Sequence, residues 1–177
     1  MKRTKYLLLV LFLNFLTQAY ADIKINNNQI SLSFNDTTFA LKKIINLTNG
    51  SNINFDEEES PLWAVTFIDT EKDSIKVTDL YTRTSFYFTR KQTHLIEDKI
   101  NGKLLTLLWT DIEIVPGDTL EVTATVFLPT GENKSIWNIE IKNNSSRYGT
   151  FSVDFPYLAI QPLEESRYND RLVFPSQ

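Results

Sequence analysis

Apolar and polar residues alternate with a period of two along most of the chain after residue 22. Residues 29–34 set Ile30, Leu32 and Phe34 against Ser31 and Ser33. Residues 120–128 set Leu120, Val122, Ala124, Val126 and Leu128 against Glu121, Thr123, Thr125 and Phe127. Residues 135–143 set Trp137, Ile139 and Ile141 against Asn138, Glu140 and Lys142, and residues 150–156 set Phe151, Val153 and Phe155 against Ser152 and Asp154. In residues 84–91, Phe86 and Phe88 share a face. Successive side chains of a strand point to opposite sides, so alternation rich in Thr, Val, Ile and Phe predicts half-buried antiparallel strands. Residues 62–69 and 103–110 are more continuously apolar and are expected to be central strands covered on both faces. No segment carries a 3.6-residue stripe. Asn49-Gly50, Asn101-Gly102, Pro116-Gly117 and Pro129-Thr130-Gly131 break the pattern with turn chemistry. Asn101-Gly102 falls between two apolar runs and fits a two-residue type I′ hairpin, whose central residues need positive φ. Ten or more short strands separated by turns read as an all-β fold, an antiparallel sandwich of two sheets. No fixed-length repeat points to a propeller or a β-helix.

The two ends differ from this pattern. Lys2, Arg3 and Lys5 precede an apolar stretch over residues 7–16, and Ala19-Tyr20-Ala21 places small residues where a signal peptidase reads them. Residues 1–21 therefore read as a signal peptide, too short in its apolar part for a span of about 20 residues. Cleavage after Ala21 takes the formal net charge from −4 to −7. Exported eukaryotic chains usually bring disulfides, and this one has no Cys. A secreted or periplasmic bacterial location is expected, with no membrane attachment after cleavage. Residues 22–160 lack an interior Pro-, Gly- or Ser-rich linker and read as one domain. Residues 161–177, with Pro162, Pro175 and the short apolar piece Leu172-Val173-Phe174, read as a tail leading towards a following domain.

Composition narrows the chemistry. The chain has 177 residues, 42% of them hydrophobic, with 18 basic and 22 acidic side chains and one His. An acidic balance opposes a nucleic-acid partner, which calls for a basic stripe. Without Cys there is no thiol nucleophile and no Cys-ligated zinc, and one His forbids a two-His constellation. No Gly-rich phosphate loop is present, and no cofactor is expected. The run Asp56-Glu57-Glu58-Glu59 is the densest acidic cluster, but contiguous side chains do not converge on one Ca²⁺, so it reads as a solvated loop. Asp79, Asp98, Asp111 and Glu113 are candidates for a glycosidase pair, with Asp111 and Glu113 on one face if their segment is a strand. His94 sits in a polar stretch that looks like an exposed hairpin tip. Trp63, Trp109 and Trp137 keep phase with apolar neighbours and are expected in the core. Tyr81, Tyr87, Tyr148 and Tyr157 remain as candidate exposed rings for stacking on a sugar.

Several of these stretches together resemble a family. Ile30–Phe34, residues 41–50 ending in Asn49-Gly50, and residues 61–67 resemble the opening of the N-terminal β-sandwich of secreted bacterial glycosidase-like proteins. That sandwich is similar to the super-sandwich of galactose mutarotase-like domains. Residues 120–129, 135–143, 153–156 and 170–175, with Trp137, Asn143, Phe155-Pro156, Asp170 and Pro175, carry the resemblance further. It implies a super-sandwich that packs against an adjoining catalytic barrel or binds carbohydrate. True mutarotases of this fold use two His and a carboxylate, and a single His departs from that pattern. No catalytic residue carries over. The expected function is a non-catalytic module of a glycoside-hydrolase-like protein; an independent envelope or adhesin-like glycan-binding module and a small sugar-active enzyme are the alternatives.

Overall fold

The computed structural model describes residues 22–72, 76, 80–87 and 90–161. The proposed leader, residues 1–21, and the tail from residue 162 onward lie outside the described residues, as does Asp79. Eleven antiparallel strands and no helix make up the described chain. β1 (Ile23–Asn26), β2 (Ile30–Phe34), β3 (Leu41–Asn46) and β4 (Asn52–Asn54) form one sheet in that order. β5 (Ala64–Asp69), β6 (Leu80–Thr84) and β11 (Tyr148–Asp154) form a second, ordered β11-β5-β6. β7 (Lys91–Lys99), β8 (Gly102–Val115), β9 (Asp118–Pro129) and β10 (Ile136–Asn143) form the third and largest, ordered β10-β9-β8-β7. The all-β, sandwich-type architecture expected from the alternation is observed, in three sheets where two were expected.

One buried cluster joins all three sheets. β9 supplies Leu120, Val122, Ala124, Val126 and Leu128, every second residue and all fully buried. β8 supplies Leu105, Leu107 and Trp109, then changes phase to Ile112 and Ile114. The change follows from a bulge: the register with β9 shifts between Trp109 and Ile112, and Asp111 adopts φ 56°. One extra residue returns an inward side chain to the core. The apparently continuous apolar run in β8 is therefore an alternating strand. Leu104 and Leu108 lie on its outer face and are only half-buried, which corrects the expectation of cover on both sides. β5 behaves likewise, with Val65 and Phe67 buried and Thr66 and Ile68 half-buried.

The aromatic centre is layered across the sheets. Trp63 and Trp109 are buried edge-to-face at 5.7 Å, and Phe39 stands 5.4 Å from Trp109. Trp137, expected in the core, is half-buried at its margin, 5.9 Å from Phe34 and 6.2 Å from Phe155. The crossing from β10 to β11 is clamped by Arg147, whose Nε and Nη2 donate to the buried Asp69 carboxylate at 3.0 and 2.7 Å. Asn143 secures the same crossing by donating from Nδ2 to the Tyr148 carbonyl at 2.6 Å.

The β7–β8 hairpin differs from the type I′ turn expected at Asn101-Gly102. Lys99 pairs with Gly102, so Ile100 and Asn101 are the turn residues, and neither has positive φ. The glycine serves a close approach instead. A Cβ on Gly102 would lie 2.2 Å from the Leu128 carbonyl oxygen and 2.7 Å from the Phe127 ring. Any side chain there would push β9 away from β8.

Candidate functional site: a groove over the outer face of the small sheet

β5 turns Ala64, Thr66 and Ile68 away from the core. Cross-strand partners share a face, so Thr66 stands between Thr82 of β6 and Ser152 of β11, and Ala64 between Thr84 and Asp154. The Thr66 and Thr82 hydroxyls are hydrogen-bonded at 3.1 Å. Ala64, Thr66, Thr82, Thr84 and Asp154 of these rows line a groove of about 730 Å³. Phe86, from the turn after β6, and Tyr157, beyond β11, also line it, together with Glu58 and Glu59. Backbone bonds fix the two aromatic segments: the Ser85 N–H donates to the Trp63 carbonyl at 3.2 Å and the Tyr157 N–H to the Leu62 carbonyl at 2.8 Å. A second cleft of about 630 Å³ shares Phe86 and Glu58 with the groove and adds Asn35, Thr38, Asp56, Glu57 and Gln161.

The acidic run is divided by its own hydrogen bonding. Asp56 Oδ1 accepts the N–H groups of Glu58 and Glu59 at 3.1 and 3.4 Å, an Asx turn. Glu57 accepts from Asn35 Nδ2 at 2.7 Å and pairs with Lys42 at 3.4 Å. Lys42 also reaches Asp22 at 3.0 Å, and that hydrogen bond holds its ammonium above the ordinary lysine range. Glu58 and Glu59 are left exposed. Among the described residues, no group of three or more His, Asp or Glu is placed to hold a metal ion.

The four tyrosines singled out by sequence go to different places. Tyr157 is 45% exposed and lines the groove. Tyr148 is buried, with its ring 5.6 Å from that of half-buried Tyr81 in an edge-on contact. Tyr87 is half-buried beneath the Arg83 guanidinium, 4.4 Å from the ring centroid. Arg83 also donates from Nε to the Glu113 carbonyl at 2.8 Å, tying β6 to β8. The groove thus takes one of the four rings. Its other members were missed because they come from separate strands and turns; the available signal was the row of threonines at outward positions 66, 82 and 84.

The remaining candidates are dispersed. Asp111 sits in the β8 bulge and pairs with Lys91 at 2.7 Å, which holds that ammonium above its usual range. With Ile112 and Ile114 turned inward, Asp111 and Glu113 both lie on the outer side of β8. Asp98 is exposed near Lys103, at 3.8 Å. His94 is exposed as expected, but it lies inside β7 and not at a hairpin tip, with its ring 5.8 Å from Phe39. No protein-family model, curated protein or solved structure matches this chain.

Proposed function

We propose that this chain is an exported, non-catalytic β-sandwich module that holds carbohydrate in the groove over β11-β5-β6 and works beside a catalytic domain of glycoside-hydrolase type. The observation that carries this reading is the groove lining itself, which combines the hydroxyls of Thr66, Thr82 and Thr84 and the carboxylates of Glu58, Glu59 and Asp154 with the rings of Phe86 and Tyr157. A pyranose presents apolar C–H faces and a rim of hydroxyls, so rings and hydrogen-bonding side chains suit its two kinds of surface. The likeness to the N-terminal sandwich of glycosidase-like proteins supports the same assignment, and the lone His94 opposes a mutarotase reaction. Export rests on the leader-like residues 1–21. Among the described residues no helix is long and apolar enough to cross a membrane.

The partner half of the proposal draws on β11. Phe151 stands at a bulge of this edge strand and is 61% exposed, with Val153 exposed beside it. An adjoining domain would cover these side chains. The test is affinity electrophoresis and calorimetry against a panel of neutral polysaccharides. Binding to at least one is expected, weakened at least tenfold by Tyr157→Ala and by Phe86→Ala. Absence of binding, or binding indifferent to both substitutions, rejects the groove as a carbohydrate site.

A further inference from the structure

β7 is a long, exposed edge of the largest sheet. Its nine residues pair with β8 without a single register shift, and no other strand pairs with its far side among the described residues. Thr93, His94, Leu95 and Ile96 are exposed in succession, and among the described residues the inner face of the strand is met only by Phe39, edge-on to the His94 ring, and by the Thr37 carbonyl, which accepts from the Gln92 side chain. The backbone groups on the open side can be assigned from the hairpin. In a two-residue hairpin the pair flanking the turn is hydrogen-bonded, and bonding then alternates along the ladder. Lys99 and Gly102 are that pair. Lys99, Glu97, Leu95, Thr93 and Lys91 therefore bond to β8, and Asp98, Ile96, His94 and Gln92 present their N–H and C=O groups to the open side. Pro129 agrees with this phase. It has no N–H and faces Gly102 from β9, where the same alternation puts a non-bonded pair.

We propose that β7 is a self-association edge, at which two copies of this chain pair antiparallel about a two-fold axis through His94 and merge their four-stranded sheets into one. The open groups admit only registers in which even-numbered residues face even-numbered residues. Charge selects among these. With His94 opposite its own mate, Lys91 lies opposite Glu97 of the other copy, Arg90 opposite Asp98, and Gln92 opposite Ile96. Because the axis is two-fold, each pairing occurs twice. The neighbouring register, centred on Leu95, puts Lys91 opposite Lys99 twice, and like charges directly opposite oppose pairing. Lys91 and Glu97 are on the same outer face of the sheet as each other, as cross-strand partners must be. In the single chain they hold only exposed partners, Asp111 and Lys99, which are readily exchanged. A long, regular edge with a neutral centre and charges at its ends is the form that invites another strand.

Sedimentation velocity on the purified protein over a concentration series is the first measurement, with a monomer–dimer equilibrium expected. Lys91→Glu should weaken the dimer at least tenfold, and Lys91→Glu with Glu97→Lys should restore it. The chain contains no Cys, so single cysteines report the register directly. Facing Cα atoms at a hydrogen-bonded antiparallel pair are about 5.5 Å apart, within disulfide range. His94→Cys is expected to give a covalent dimer under mild oxidation and Leu95→Cys is not. A monomer at every concentration, a double variant that fails to restore what Lys91→Glu removes, or cross-linking through Leu95→Cys in preference to His94→Cys each overturns the proposal.

Discussion

β10 and β7 border the same sheet and are of similar length, yet the fold treats them in opposite ways. β10 turns Trp137, Ile139 and Ile141 inward, where they are half-buried against the core, and Phe34 and Phe155 close over the indole. Its chain then passes through the Arg147–Asp69 clamp into β11. β7 turns Gln92, His94 and Ile96 to the corresponding side, and Ile96 remains 40% exposed. Leu95, on the opposite face, is 56% exposed. One edge is held by a packed layer; the other is held by its ladder to β8, with only the Gln92 amide on the Thr37 carbonyl and the His94 ring edge-on to Phe39 reaching another part of the described chain. Alternation in a sequence therefore records the presence of a facing layer, and a strand without one leaves no such record.

The contrast is tested most strongly in the tryptophans. Trp109→Ala, at the centre of the sheet, is expected to cost about 3–5 kcal/mol, the usual loss on truncating a fully buried large aromatic. Trp137→Ala, at the β10 margin, is expected to cost about 2 kcal/mol, because part of its surface stays in water. Equal shifts in urea midpoint would show that the β10 edge is as deeply built as the sheet centre.

Acid titration probes the clamp that carries β10 into β11. The hydrogen bonds from Arg147 hold the Asp69 carboxyl below its ordinary value of 3.8. A carboxyl with a lowered folded value contributes stability that is fully present above the unfolded value and disappears as pH falls through the folded one. The parent should thus lose stability below about pH 4, and the gap between parent and Asp69→Asn should close as the pH drops. A gap that stays constant from pH 7 to pH 2.5 would mean that the ion pair contributes nothing to this edge.

The smallest effects belong to β7. Leu95→Ala is expected to change stability by less than about 0.5 kcal/mol in dilute protein. Amides of Gln92, His94, Ile96 and Asp98 should exchange with solvent much faster than those of Leu105 and Leu107, since they lack a neighbouring strand. Slow exchange at those four positions in monomeric protein would show that something already covers the open side.

Legibility followed the same physics. β2, β9 and β10 were readable because each faces the core on one side, whereas in β11 the bulge between Thr150 and Ser152 leaves Phe151 and Val153, read as an apolar face, exposed. β8 was misread as covered on both sides because Leu104 and Leu108 enrich its outer face and the Asp111 bulge blurs its phase. The polar residues 90–94 looked like a hairpin tip, since β7 has no facing apolar layer that would demand alternation. The groove was legible only through Tyr157. Phe86, Asp154 and the threonines are brought together by pairing between β5, β6 and β11, and sequence separation hides that pairing. Gly102 was recognised as special but for a turn, whereas its constraint comes from Leu128 and Phe127 across the sheet.

The edge-to-face pair of Trp63 and Trp109 gives the molecule an optical signature of its own assembly. One indole leads into the small sheet and the other belongs to the large one, so their rings meet only when the layers have closed on each other. Two indoles whose rings lie 5.7 Å apart are close enough for their transitions to couple, and a paired positive and negative band in the circular dichroism spectrum is the expected result. That band reports the docking of one layer on the other, while the β signal at shorter wavelength reports the strands themselves. The chain thus carries separate spectroscopic readouts for forming its sheets and for bringing them together, with no added dye.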